Sequence, residues 1–140
     1  MNDLRSYLDD PETSFAIVGA TNTPGKYGGR IYRDLKSKGF KVYAVNPRAE
    51  EVDGDPAYAT LKDLPEKPTM AVMVVPAKVG LDVIDDAVEI GLENIWVQPG
   101  AESEELMAKL DEKGLSWIGN GPCVMVETRR IAYRSDHDLL

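Results

Sequence analysis

The chain has 140 residues, of which 43% are apolar, enough for one domain with a modest core and too few for a second. Its formal charge of -8 argues against a nucleic-acid-binding surface, because such a surface carries a basic face that neutralises phosphates. One cysteine, Cys123, excludes an intramolecular disulfide and a cysteine-rich zinc site, and the most apolar run, residues 70–75, is too short to span a bilayer.

The first eleven residues lack the apolar segment of a secretion signal, and we predict that they form a helix packed on the edge of the domain. We therefore expect a cytoplasmic, soluble protein that contacts neither membrane nor nucleic acid and holds no metal. A polar tail is expected over residues 129–140, which leaves residues 12–128 as the folded domain.

The chain then alternates predicted strands and helices. The strands are short, β-branched and apolar, as strands covered on both faces should be, and lie at residues 15–19, 41–45, 70–75, 94–98 and 115–119. Between the second and third, residues 52–58 contain an Asp-Gly turn and Pro56, which allow at most a short edge strand.

Three helices are predicted, at about residues 28–38, 79–90 and 104–113, and each ends just before a glycine. Ser103 is the expected N-cap of the third. In the second, an apolar stripe (Val83, Ile84, Ala87, Val88) lies opposite an acidic face that we expect to be solvated (Asp82, Asp85, Asp86, Glu89). Alternating strands and helices with short links predict an α/β fold, a three-layer, Rossmann-like, doubly wound parallel sheet in a single domain.

Residues 15–28 indicate a buried strand that runs into a glycine-rich turn and then a helix. Gly19 lets the backbone turn sharply, and the helix presents free N–H groups and the positive end of its dipole to an anion. The segment departs from the G-x-G-x-x-G dinucleotide motif, because Thr21 and Pro24 stand at the second and third glycine positions. It predicts a phosphate-binding loop for a nucleotide that differs from the usual one.

Ligands of such sheets bind beyond the carboxyl ends of the strands. Four of the five predicted strand ends carry small, proline or amide residues, which shape a groove without supplying an acid or a base. The candidates around these ends are Gly19, Ala20, Thr21, Asn22, Asn46, Pro47, Val75, Pro76, Ala77 and Gln98. With Pro24, Lys26, Tyr27, Gly28 and Arg48 they form the predicted binding site.

The end of the second strand discriminates between nucleotides. An NAD site normally places Asp or Glu there to accept the ribose hydroxyls, whereas this chain has Asn46, Pro47 and Arg48. A missing carboxylate and an added cation favour a phosphorylated ribose, as in NADP or coenzyme A, and Lys26 and Arg30 would meet further phosphates. The alternative interpretation is an ordinary turn with a solvated arginine.

Several motifs resemble those of small single-domain CoA-binding proteins, which are similar to the CoA-binding domain of succinyl-CoA synthetase alpha subunits and of NDP-forming acyl-CoA synthetases. The matching stretches are residues 18–21 with Pro24, 26–28, 45–47, 74–76, 96–100, and Cys123 with residues 126–127. The resemblance implies that the glycine loop and lysine hold the CoA phosphates, that the Asn-Pro turn lies by the nucleotide and that the Val-Pro strand end lines the cleft; these roles fall on Gly19, Thr21, Lys26, Tyr27, Asn46, Pro47, Val75 and Pro76. Residues 127–128 depart from the family, reading Glu-Thr where relatives often have Glu-His.

Catalysis has little support in the sequence. His137 is the only histidine and is expected to be a solvent-exposed bystander, while Cys123 is expected to be a buried structural thiol. We therefore predict non-catalytic binding of CoA or an acyl-CoA by a monomer or weak homodimer, as a carrier, a sensor or a partner of a separately encoded synthetase subunit. The alternative is an NAD(P)-binding oxidoreductase or redox sensor on the same fold.

Overall fold

A computed structural model describes residues 4–129. Its strands are β1 (Ser14–Val18), β2 (Lys41–Val45), β3 (Glu51–Val52), β4 (Asp55–Tyr58), β5 (Met70–Met73), β6 (Asn94–Val97) and β7 (Ser116–Ile118). Its α-helices are α1 (Tyr27–Ser37), α2 (Ala77–Ile90), α3 (Glu104–Glu112) and α4 (Val124–Glu127), and Leu4–Asp9 and Leu61–Asp63 form 3₁₀ helices. All five predicted strands and all three predicted helices are confirmed, with ends that differ by up to two residues.

The described strands form one sheet in the order β3-β4-β2-β1-β5-β6-β7. Every pairing is parallel except that of β3 with β4. The register aligns Val18 at the end of β1 with Val45 of β2 and Met73 of β5. The strand order reverses beside β1, so these three carboxyl ends mark the switch point at which ligands of such sheets bind.

Helices cover both faces of the sheet, which confirms the three-layer, Rossmann-like fold. Side chains of alternating strand positions enter two different cores, as the period of a strand requires. One core packs Phe15 and Ile17 against α1, α4 and the N-terminal 3₁₀ helix. The other packs Ala16 and Val18 against α2 and α3.

The N-terminal segment forms a 3₁₀ helix, Leu4–Asp9. Leu4 and Leu8 are buried within the core that contains Phe15, and the segment lies against β7, the edge strand of the sheet. The predicted polar tail falls, apart from Arg129, outside the described residues.

Segment 52–58 and helix α2 also differ in detail. The single edge strand allowed by Pro56 is a hairpin, in which β3 is the edge and β4 pairs with both β3 and β2. Helix α2 begins two residues early, because the Pro76 carbonyl accepts hydrogen bonds from the amides of Val79 and Gly80. Val88, expected in the apolar stripe, is 43% exposed. The N-cap prediction is confirmed, since Ser103 Oγ accepts a hydrogen bond of 3.0 Å from the Leu106 amide.

Candidate functional site

The glycine loop contacts the start of α1 with no side chain between them. A Cβ on Gly28 would lie 1.9 Å from the Gly19 carbonyl oxygen, and one on Gly29 would lie 2.4 Å from the Thr21 carbonyl oxygen. Gly19 itself has a φ of 104°, and a Cβ there would lie 2.5 Å from the Val74 carbonyl oxygen. Only glycine fits these positions, and the contact places the first turn of α1 directly beyond the end of β1.

The N-terminus of α1 is suited to bind an anion. Its N-cap is Lys26, and within residues 4–129 no side chain makes a capping hydrogen bond to this end of the helix. The first amides of a helix have no partner inside the helix, and the helix dipole adds partial positive charge there. A phosphate is the ligand that such an end binds most readily.

A cleft of about 1520 Å³ opens at this end of the sheet. It exceeds the roughly 300–1,000 Å³ usual for small-molecule sites, which suits an extended ligand. Twelve of the fifteen predicted site residues line it: Gly19, Thr21, Asn22, Lys26, Tyr27, Gly28, Asn46, Pro47, Arg48, Val75, Pro76 and Gln98.

Three predicted residues lie elsewhere. Ala20 is fully buried behind the loop, Pro24 is exposed in the turn that follows it, and Ala77 packs against the core beneath α2. The backbone of Ala20 still helps to hold the site together, because its carbonyl oxygen accepts a hydrogen bond of 2.9 Å from Asn46 Nδ2.

Asn46 has a structural role at the end of β2. Besides the bond to Ala20, its Oδ1 accepts a hydrogen bond of 2.8 Å from the Arg48 amide. Both ends of the side-chain amide are therefore used to join the Asn-Pro turn to the glycine loop. The oxygen that would have to accept a ribose hydroxyl, in place of the carboxylate of an NAD site, already has a donor.

Charged and aromatic groups lie at the rim of the cleft. Lys26 and Arg48 line it, and Tyr27, 60% exposed, carries the Arg30 guanidinium 5.2 Å from its ring centre. Lys26 and Arg30 lie at the open end of α1, whereas Arg48 lies at the Asn-Pro turn, so cations are available to phosphate groups at two places around the cleft.

Gln98 and Cys123 also line the cleft, at the end of β6 and the start of α4. Gln98 is 4% exposed; its Oε1 accepts a hydrogen bond of 2.8 Å from the Val124 amide, and its Nε2 donates one of 3.3 Å to Cys123 Sγ. The expectation of a buried structural thiol is wrong, because Cys123 is only partly buried and lines the cleft. Gln98 thus fastens the start of α4 to the end of β6.

Residues 127–128 fasten the other end of α4. Thr128 is fully buried, and its Oγ1 accepts a hydrogen bond of 2.8 Å from Lys38 Nζ, which also forms an ion pair of 2.6 Å with Asp34. Glu127 pairs with Arg5 of the N-terminal 3₁₀ helix at 2.9 Å. The departure from the family's Glu-His pattern therefore coincides with a structural anchor; His137 lies outside the described residues.

Sequence reasoning missed a third wall, which α2 supplies. Val79, Asp82, Val83 and Asp86 line the cleft, although the acidic face was expected to be solvated. Helical periodicity distinguishes the side chains of α2 that enter the core from those that do not. It does not distinguish a side chain that lines a cleft from one that faces open solvent. Asp86 also forms an ion pair of 3.7 Å with Lys62.

The fold and the position of the cleft define a class: a Rossmann-like α/β protein whose cleft lies at the switch point of a doubly wound sheet. This chain belongs to the CoA-binding domain family, whose family model matches residues 13–129. The family predicted from the sequence motifs is thereby confirmed. Among residues 4–129, no helix combines the length and hydropathy that a bilayer span requires.

Individual relatives give the scale of the similarity. The chain is 38% identical over 121 residues to the alpha subunit of an ADP-forming acetate–CoA ligase II of Pyrococcus furiosus, an alignment that covers 84% of this chain and 26% of the subunit. A conserved hypothetical protein of Pyrococcus furiosus, of solved structure, matches with a TM-score of 0.79 and 46% identity over 83% of this chain and 99% of its own. A dinucleotide-forming acetyl-coenzyme A synthetase 1 of Ca. Korarchaeum cryptofilum matches with a TM-score of 0.71 and 35% identity over 85% of this chain and 27% of its own. The chain thus spans about a quarter of the length of the curated ligase subunit.

Proposed function

We propose that the protein binds coenzyme A or an acyl-CoA in the cleft beside the glycine loop, without catalysing a reaction of its own. The observation that carries this proposal is the uncapped N-terminus of α1, held against Gly19 and Thr21 by contacts that only glycine permits. The pyrophosphate would bind to the first-turn amides of α1 with Lys26 at its side. Membership of a CoA-binding family supports the identity of the ligand.

The far end of the nucleotide would lie at the Asn-Pro turn. Arg48 lines the cleft there and would pair with the 3′-phosphate of the adenosine ribose. Val75 and Pro76 at the end of β5 would contact the apolar parts of the ligand. The cleft volume of about 1520 Å³ leaves room for the pantetheine arm to extend toward Gln98 and Cys123, which also line it.

The absence of catalysis is proposed from the chemistry of the cleft walls. Among the described residues that line it, the ionisable groups are Lys26, Tyr27, Arg48, Asp82, Asp86 and Cys123. The two acids lie on α2, and neither stands at a strand end, where the sequence also places no base. Since the cleft supplies no acid or base at a strand end and the matched relative is the alpha subunit of an ADP-forming acetate–CoA ligase, we propose that the protein acts as a carrier, a sensor or a partner of a separately encoded synthetase subunit.

Isothermal titration with CoA, dephospho-CoA, NAD and NADP at one salt concentration tests the proposal. CoA should bind, and loss of the 3′-phosphate should weaken binding about tenfold or more, since a hydrogen bond to a charged group contributes about 1.5–3 kcal/mol. Binding of NAD or NADP with no response to CoA would overturn the proposal in favour of a redox protein. Equal affinities for CoA and dephospho-CoA would remove Arg48 from its assigned role.

A further inference from the structure

The β3–β4 hairpin contacts α1 and the loop that precedes it. At the loop before α1, Asn22 Nδ2 donates a hydrogen bond of 2.8 Å to the Glu51 carbonyl oxygen, and Asn22 Oδ1 accepts one of 2.9 Å from the Asp53 amide. In the last turn of α1, Lys36 Nζ lies 3.2 Å from the Asp53 carboxylate and 2.7 Å from that of Asp55. We call residues 51–55, with these contacts, the brace.

A second residue of α1 also contacts Asp55, at the end of the brace. Tyr32 of α1 is fully buried and donates a hydrogen bond of 2.7 Å to Asp55 Oδ2. Burial and the neighbouring Asp55 raise the pKa of Tyr32, so the phenol remains a donor. The hydrogen bonds from Lys36 and Tyr32 in turn lower the pKa of Asp55, so its carboxylate remains an acceptor.

Asn22 is the point at which the brace meets the glycine loop. The loop is exposed from Asn22 to Lys26, and Asn22 connects it to residues 29 and 31 positions away. Both the nitrogen and the oxygen of the Asn22 side-chain amide are used in these contacts, so the side chain attaches the glycine loop to the hairpin. The Asp53 backbone has a φ of 53°, in the left-handed region that surrounding contacts must maintain for a residue with a Cβ.

We propose that Asn22 is a positioning residue for phosphate binding. Through the brace it holds residues 20–26 and the first turn of α1 in the conformation that receives the phosphates, an inference that rests on the proposed CoA function. Since coupling between two equilibria is reciprocal, a brace that raises CoA affinity is itself stabilised by CoA to the same extent. Residues 51–55 therefore become more ordered when the cleft is occupied, although only their neighbours line it.

Two matched asparagine variants test the assignment. Asn22→Ala should weaken CoA binding about tenfold, the effect expected when hydrogen bonds that pre-organise a loop are lost. Asn94→Ala is the control, because Asn94 Nδ2 also donates to a backbone carbonyl, that of Thr69, at 3.0 Å, but at the amino end of β6, away from the cleft. It should leave CoA affinity within about twofold of wild type. Equal affinities of wild type and the Asn22→Ala protein would overturn the proposal.

Amide hydrogen exchange supplies a readout that general destabilisation does not change. In the wild type, CoA should slow exchange of the Asp53 amide and of the Ala57 amide, which donates to the Glu50 carbonyl oxygen at the base of the hairpin. The decrease in exchange rate at these two amides on addition of CoA should exceed the decrease at the distant Gly114 amide. In Asn22→Ala, at saturating CoA, the additional protection at Ala57 should disappear; its persistence would show direct ligand contact and overturn the brace.

Lys36→Met provides an independent variant if Asn22→Ala does not fold. It removes the ion pairs at the far end of α1 and leaves the Asn22 bonds in place, so the Asp53 amide remains a reporter. The CoA response of that amide should fall; an unchanged response would refute coupling along α1. Failure of the wild type to bind CoA would instead overturn the proposed function, which separates the two failures.

Discussion

Gly28→Ala tests whether the contact between the glycine loop and α1 is as tight as the structure indicates. On an unhindered helix this change would stabilise the protein by up to about 1 kcal/mol, because alanine is the better helix former. Here the new Cβ would lie 1.9 Å from the Gly19 carbonyl oxygen, whereas real Cβ atoms essentially never come closer than 3.0 Å to such an atom. Helix α1 would have to move away from the loop by about 1 Å. No side-chain rotation relieves the clash, because the backbone fixes the positions of both the Cβ and the Gly19 carbonyl oxygen. We expect a net loss of about 2 kcal/mol or more, since overpacking typically costs about 1–3 kcal/mol.

Urea unfolding of the purified variant measures this change as a shift of the transition midpoint. Gly80→Ala is the matched control, because Gly80 is also a buried helical glycine, but its new Cβ would lie 3.1 Å from the flexible ends of Leu106 and Met73. It should remain within about 1 kcal/mol of wild type. Gly28→Ala should also weaken CoA binding, because the amides of α1 move away from the loop. A Gly28→Ala protein of wild-type stability and CoA affinity would refute both the contact and its role.

Three further changes give distinct outcomes. Lys26→Ala should weaken CoA binding by about 1–2 kcal/mol without altering stability, whereas Lys78→Ala, an exposed lysine outside the cleft lining, should leave titration curves unchanged; equal effects of the two would show only a general charge effect. Lys38→Met should cost on the order of 1–3 kcal/mol in urea unfolding, since it removes the buried ammonium that donates to the Met125 carbonyl oxygen of α4 and to Thr128 Oγ1, and wild-type stability would contradict that anchor. Hydrogen bonding to Lys36 lowers the pKa of Asp55, so the stabilisation from its carboxylate is fully present above the ordinary pKa of 3.8 and is lost as the pH falls through the lower folded-state value. Asp55→Asn should therefore reduce the loss of unfolding free energy at acid pH. An unchanged dependence of the unfolding free energy on acid pH would contradict the ion pair.

The sheet, its helices and most of the cleft were predictable because their signals are local. Apolar strand segments, helical periodicity and the glycines after each helix depend on residues within a few positions of one another, and Ser103 caps α3 from three residues away. The walls formed by strand ends followed from topology, since all parallel carboxyl ends lie on the same edge.

The contacts that shape the site were not predictable in this way. Asn22 and Asn46 appeared as ligand candidates, yet the structure uses both ends of each side-chain amide within the protein, over separations of up to 31 residues. An amide that binds a phosphate and one that accepts from a distant backbone look the same in a sequence. Helix α4 has four residues, too few to show a period, which is why the position of Cys123 beside the cleft was missed.

The strand order also bears on how the protein folds as it is synthesised. Among the strands of residues 4–129, β1 comes first and is central, and β2, β4 and then β5, β6 and β7 are added outward on either side. Each of these therefore emerges from the ribosome after the strand beside which it pairs. Of the described strands only β3 precedes its partner, and β4 follows it after two residues. No parallel pairing among the described strands depends on one that has yet to emerge, so their synthesis leaves no gap in the middle of the sheet that would expose apolar edges to aggregation.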